Sequence, residues 1–489
     1  MFVPLAVLVA RAGGVGALRA ADLAALRFTL VQAALSAVLS VALAIPVARA
    51  LARRRFAGRG AVIALMGAPF VLPVIVAVLG LIAVFGRTGP VAWTAAVLGL
   101  EPPSIYGLRG VVLAHVFLNL PLAVRLILQG WQAVPPARHR LAASLGAGPG
   151  DVQRLIEWPM LRAVVPGAVA TIFLVCLTSF AVALTLGGGP RATTLELAIY
   201  EAFRLEFDLP RAALLALLQA GIGAAAVAAG LALSLPEARS ADHAGPARRW
   251  AGGGWFQVQD AVLLGAAILF VGAPLAMVLG RGALAATSLP PSVWEAALRS
   301  LSVALGSSAL CVALGLGIVL GGGRAALGVG MAGIAVSPLA IGTGLFLALR
   351  PWTDPSDWAL PVTGAVNAVM SLPFALRALA PAADRMRAET GRLADALGMR
   401  GAARLRLATL PAMRREIGFA AGLSAALSMG DLGVVTFFAG TDAPTLPLQM
   451  YRLMGAYRMD DAMGAAVLLL ALTLGLFVAL DRGIGRAGA

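Results

Sequence analysis

The side chain that stands out for its chemistry is Asp431, a carboxylate inside the apolar run 416–438. A carboxylate at membrane depth is costly and usually faces a bundle interior or a water-filled path. There it could line such a path, or pair with an arginine or backbone amide of the bundle. His115 and Asn119 are four residues apart in the run 111–131 and share a helix face. They read as candidate path groups or, more simply, as hydrogen-bonding groups between helices.

The inventory for bond-making chemistry is thin. The three histidines, His115, His139 and His243, lie in separate stretches, with no cluster of His, Asp or Glu at membrane depth. The chain has no lysine, so a P-loop has no candidate for its phosphate-binding residue. The chain therefore cannot be its own ATPase by that route. Cys176 and Cys311 sit in apolar runs and read as small buried hydrophobes; there is no disulfide framework and no zinc spacing. The expectation is a protein without catalytic residues, metal or cofactor.

What the chain does carry is a repeat. Arg140-Leu-Ala-Ala-Ser-Leu-Gly146 is followed thirteen residues later by Pro159, and Arg392-Leu-Ala-Asp-Ala-Leu-Gly398 by Pro411. The offset is 398 − 146 = 252 residues, and Leu120-Pro121 and Leu372-Pro373 obey it as well. A gapless register of this length implies two homologous halves. Leu141 and Leu145, like Leu393 and Leu397, share a helix face, and Gly146 and Gly148 break the helix after the first pair. Each copy is a polar, Arg-studded helix–turn–helix between apolar runs. That is the form of a docking surface on one side of a membrane.

The elements that position these residues follow from composition. Of 489 residues, 60% are hydrophobic and 12% charged, with a mean hydropathy of +0.90. This predicts an all-α polytopic membrane protein of about 11–12 transmembrane helices. The net charge of +15 does not indicate nucleic acid, because the arginines lie in short loops between apolar runs. Spans are expected near 28–47, 61–85, 111–131, 165–186 and 212–235, then 258–280, 297–320, 326–349, 360–380, 416–438 and 462–480. The first half is read as 1–235 with its loop at 138–160, and the second as 257–489 with its loop at 390–412. A Pro/Gly/Arg-rich cytoplasmic linker, 236–256, joins them. Arg49, Arg53–Arg55 and Arg59, both repeated loops, and Arg482 and Arg486 mark the cytoplasmic side. Phe2–Ala10 is too short to span; either a partly apolar helix runs on to Leu18 or the start lacks residues. With no cleavable signal evident, the first span is expected to serve as the targeting signal.

The repeated loop resembles the coupling loop of bacterial ABC importer permeases, E-A-A-x-x-x-G-x9-I-x-L-P. Gly146, Ile156 and Pro159 match it in the first copy, and Gly398, Leu410 and Pro411 in the second. Arg140 and Arg392 stand where that pattern has glutamate, and Ala408 stands for the isoleucine. The resemblance implies two type I importer permease halves. It also implies that Arg140, Ala142, Ser144, Leu145, Gly146 and Pro159, with Arg392, Ala394, Leu397, Gly398 and Pro411, dock on two copies of a cytoplasmic ABC ATPase. Thr178–Tyr200, Ala114–Pro121 and Tyr451–Ala462 closely resemble thiamine importer permeases, whose halves are likewise fused. This implies a bacterial inner-membrane protein that takes thiamine or its phosphate esters from a periplasmic binding protein. Ferric-iron importer permeases share the fused plan and are the alternative. A gradient-driven transporter also has repeated halves, but would need no paired cytoplasmic helix–turn–helix loops.

Overall fold

The structure is a computed structural model and describes residues 2–12, 18–67, 72–189, 192–233, 254–321, 323–335, 337–438 and 443–486. Among these residues all regular structure is helical. The expected linker, 236–256, lies outside the described residues as far as Gly253.

Long apolar runs form helices in a bilayer because a helix satisfies its own backbone. The first half comprises α1 (Phe2–Ala12), α2 (Ala20–Arg53), α3 (Arg59–Leu65), α4 (Val74–Phe85), α5 (Pro90–Val97) and α6 (Leu108–Ala133). It continues with α7 (Pro136–Ser144), α8 (Pro149–Val152), α9 (Trp158–Leu177), α10 (Phe180–Leu186), α11 (Leu195–Arg204) and α12 (Leu209–Leu233). The second half comprises α13 (Trp255–Ala285), α14 (Pro291–Gly321), α15 (Gly323–Met331), α16 (Pro338–Leu349) and α17 (Ala359–Met386). It ends with α18 (Arg392–Ala396), α19 (Gly401–Arg404), α20 (Leu410–Met429), α21 (Gly433–Phe438), α22 (Leu446–Gly455) and α23 (Met459–Arg486). Among the described residues nine helices are long and apolar enough to cross a bilayer.

Four expected spans are not continuous helices. Run 165–186 breaks after Leu177 and resumes at Phe180, and run 416–438 breaks after Met429 and resumes at Gly433. Run 61–85 divides into α3 and α4, and 326–349 into α15 and α16. Side chains meet the backbone groups that such breaks release. Gln32 and Gln219 donate to the carbonyls of Cys176 and Leu177 at 3.0 and 2.9 Å. Ser337 caps α16 by accepting from Leu339 and Ala340, with Pro338 at the first helical position.

The two halves exchange their first helices. In the second half, α13 packs on α23 and crosses to α4; in the first, α1 packs on α12 and crosses to α16. Both crossings place a glycine against a proline. A Cβ on Gly80 would lie 2.7 Å from the Pro274 carbonyl oxygen, and one on Gly344 would lie 2.5 Å from that of Pro4. A core of buried residues from both halves, among them Val78, Phe117, Val293, Met429 and Leu469, is continuous across the seam. Within the second half, Gly418 and Gly422 form a Gly-x-x-x-Gly face on which the backbone of α23 rests.

Candidate coupling loops and central passage

Each repeated loop is built the same way. After α7 the chain turns at Gly146 (φ +68°), and after α18 at Gly398 (φ +64°), both in the left-handed region that favours glycine. The turn is closed by Ala147 N–H donating to the Ala142 carbonyl at 3.0 Å and Met399 N–H to that of Ala394 at 2.9 Å. A π-helical turn follows in both, Gln153–Glu157 and Leu405–Thr409, again 252 residues apart. Pro159 and Pro411 then fall in the first turn of α9 and α20.

This geometry turns apolar side chains outward. Leu141, Leu145 and Leu155 in the first loop, and Leu393, Leu397 and Leu407 in the second, are all 60–75% exposed. Arg140, Ser144 and Arg392 are also exposed, whereas Ala142 is half-buried and Ala394 buried under its own loop. The Ser144 hydroxyl is spent within its helix, donating to the Leu141 carbonyl at 2.9 Å. Leu393, Leu397, Leu407 and Pro411 line a pocket of about 420 Å³ between the two arms of the second loop. Nothing local in the sequence marks the outward leucines of the π-turns, Leu155 and Leu407, although the 252-residue register aligns them.

The loops differ in how they are held. In the first, Glu157 is buried and receives Arg49 Nε at 3.1 Å, Arg53 Nε at 3.0 Å and an Arg53 terminal nitrogen at 2.7 Å. Half-buried His139 is held below its usual pKa by burial, with Glu157 opposing and Arg53 adding to the shift. In the second loop, Thr409 stands 252 residues after Glu157, and the bracing is internal: Arg404 meets Asp395 at 2.6 Å.

The candidate passage residues fall into two matching polar groups. In the first half, His115 Nδ1 lies 3.3 Å from Ser36 Oγ, and Asn119 donates to the His115 carbonyl at 2.9 Å and to Cys176 Sγ at 3.4 Å. The register sets Asn367 opposite His115, and Asn367 donates to Ser428 Oγ at 3.0 Å. Asp431 sits in the break between α20 and α21. One oxygen accepts from Gly433 N–H at 3.1 Å; the other has no partner at hydrogen-bond distance among the described residues, with the Asn367 amide nearby. The break faces the other half: Gly430 meets Pro73 and Gly433 meets Phe180. Ser179 holds the equivalent position in the first half, so of these two matched breaks only one carries a carboxylate. His115 and Asn119 share no hydrogen bond with Asp431; they belong to the equivalent group on the opposite side. Among the described residues no group of His, Cys, Asp or Glu is assembled to hold a metal.

On the face opposite the loops, α11 and α22 are tied down identically. Leu195 N–H donates to Thr29 Oγ1 and Leu446 N–H to Ser300 Oγ, both at 2.8 Å.

A helical bundle of this kind, crossed by its first helices and bearing twin loops, is a multi-pass transport permease of the ABC importer class with the type I fold. Over 472 residues the chain is 39% identical to the thiamine transport system permease protein ThiP of Brucella abortus, covering 93% of this chain and 87% of that one. It is 38% identical to the proteins of that name from Salmonella typhimurium and Escherichia coli, covering 94% of this chain and 89% of each. The molybdenum transport system permease protein ModB of Azotobacter vinelandii, 33% identical over 181 residues, spans 36% of the chain. No family model matches. The chain belongs to the thiamine transport system permease family.

Proposed function

We propose that this chain carries thiamine, or its phosphate esters, across the bacterial inner membrane, receiving it from a periplasmic binding protein. The observation that carries this reading is the similarity to thiamine permeases along nearly the whole chain. The halves are 1–235 and 257–489. Two cytoplasmic ATPase subunits dock on the loops at 138–160 and 390–412, chiefly through Leu145 and Leu397 with Arg140, Arg392 and the glycine turns. Hydrolysis occurs on those subunits and this chain supplies the path.

Asp431 supports the cargo assignment. Thiamine carries a fixed positive charge on its thiazolium ring, and a carboxylate at the seam that meets no cation among the described residues suits a passing one. His115 and Asn119 pack the opposite wall. The testing experiment is uptake into liposomes holding this chain, its ATPase and its binding protein. Labelled thiamine should accumulate only with ATP, and excess ferric iron should not compete. Uptake of ferric iron in place of thiamine would replace the cargo and keep the machine.

A further inference from the structure

We infer that Glu157 is a positioning residue that makes the first coupling loop, unlike the second, move as one body with α2. The inference rests on the docking role proposed above.

The last turns of α2 form a charged node. Arg49 and Arg53, one turn apart, together neutralise Glu157, and Arg49 also donates to Gln153 Oε1 at 3.0 Å. Glu157 is 4% exposed and closes the π-helical turn that joins the loop to α9. Next along the chain, Arg54 meets Asp260 on α13 at 2.6 Å. Because α13 crosses from the second half, this node links the first loop to α2 and through α2 to the opposite half. Buried charges held by two partners resist separation, since removing one partner strands the others away from water.

Among the described residues the second loop shows no such bolt. The paired hydroxyls Thr29 and Ser300 align α2 with α14 at an offset of 300 − 29 = 271, which puts Leu320 in the place of Arg49 and Arg324, whose side chain lies outside the description, in the place of Arg53; the difference therefore lies in the acceptor. Thr409, buried but uncharged, replaces Glu157. The Arg404–Asp395 pair stiffens the loop internally, with both side chains at least one-third exposed. Its tie to α14 is Arg387 donating to the Val319 carbonyl. The second loop is therefore a stiff finger that can swivel, and the first is a lever.

The test uses the assembled transporter in liposomes and reads thiamine imported per ATP hydrolysed. Glu157→Gln keeps the shape and removes the charge; the ratio should fall about tenfold or more while hydrolysis continues. Glu157→Asp should fall between Gln and wild type, and Arg299→Gln, at an exposed ion pair on α14 away from either loop, should leave the ratio unchanged. A wild-type ratio in Glu157→Gln, or an equal loss in Arg299→Gln, overturns the inference. If Glu157→Gln does not assemble, Arg49→Gln, which leaves Arg53 in place, decides on the same readout. If the wild-type complex imports no thiamine, the cargo reading fails by itself. Stimulation of hydrolysis by the binding protein then replaces the ratio: its loss in Glu157→Gln supports the lever and its retention overturns it.

Discussion

Asp431 has one oxygen on the Gly433 amide and meets no cation among the described residues, at a break that faces the opposite half. If that charge eases the passage of a cation, Asp431→Asn should slow thiamine uptake roughly tenfold, equivalent to about 1.4 kcal/mol of barrier. Protein amount should be unchanged, because asparagine can still accept from Gly433. Uptake at the wild-type rate would reduce Asp431 to a helix cap. The glycine turns behave differently. Nothing lies within 4 Å of a Cβ at Gly146 or Gly398, so Gly146→Ala and Gly398→Ala meet no steric barrier. Each should cost only the left-handed backbone penalty, about 1–2 kcal/mol. Thermal unfolding should show a small shift, whereas a collapse of expression would mean the turn is more tightly packed than this. Of these positions, Asp431 and both glycines are legible in the sequence, since a charge in an apolar run and a repeated glycine declare themselves locally. The Glu157 clamp is not, because its arginines lie more than a hundred residues away.

At the scale of helices, the sequence shows where apolar runs lie but not where they break. Runs 165–186 and 416–438 look continuous because Thr178, Ser179 and Gly430 scarcely interrupt their hydropathy. At the break after Leu177, distant side chains, Gln32 and Gln219, take up the released carbonyls, a contact with no local signature. Close helix packing yields a direct prediction. A Cβ on Gly422 would lie 2.8 Å from the Phe477 carbonyl oxygen, whereas Gly475 on α23 has open space. Gly422→Leu should therefore destabilise by about 1–3 kcal/mol and Gly475→Leu by far less, read as melting temperatures in detergent. Equal effects would contradict this packing of α20 on α23. The matched hydroxyl ties make a second prediction. Thr29→Val and Ser300→Ala should each cost about 0.5–2 kcal/mol by leaving the first amide of α11 or α22 without its acceptor. The two losses should be similar, and a cost confined to one half would deny the symmetry of the ties.

At the scale of the whole molecule, the 252-residue register already implies two halves and two loops. What it cannot convey is their interlacing. The exchange of α1 and α13 depends on a glycine in one half meeting a proline in the other, a contact without any local signature. The interlaced seam carries the Asp431 carboxylate, and the twin loops carry matched exposed leucines. In the function proposed above, ATPase subunits grip the leucines and open the seam. The most direct measurement is ATP-driven thiamine uptake, with ATPase retention on the purified permease, in the double variant Leu145→Glu/Leu397→Glu. Both side chains are largely exposed, so the fold should survive. The account predicts that the variant assembles in the membrane at wild-type level, no longer retains the ATPase and imports no thiamine. Full retention of the ATPase together with wild-type uptake would contradict it.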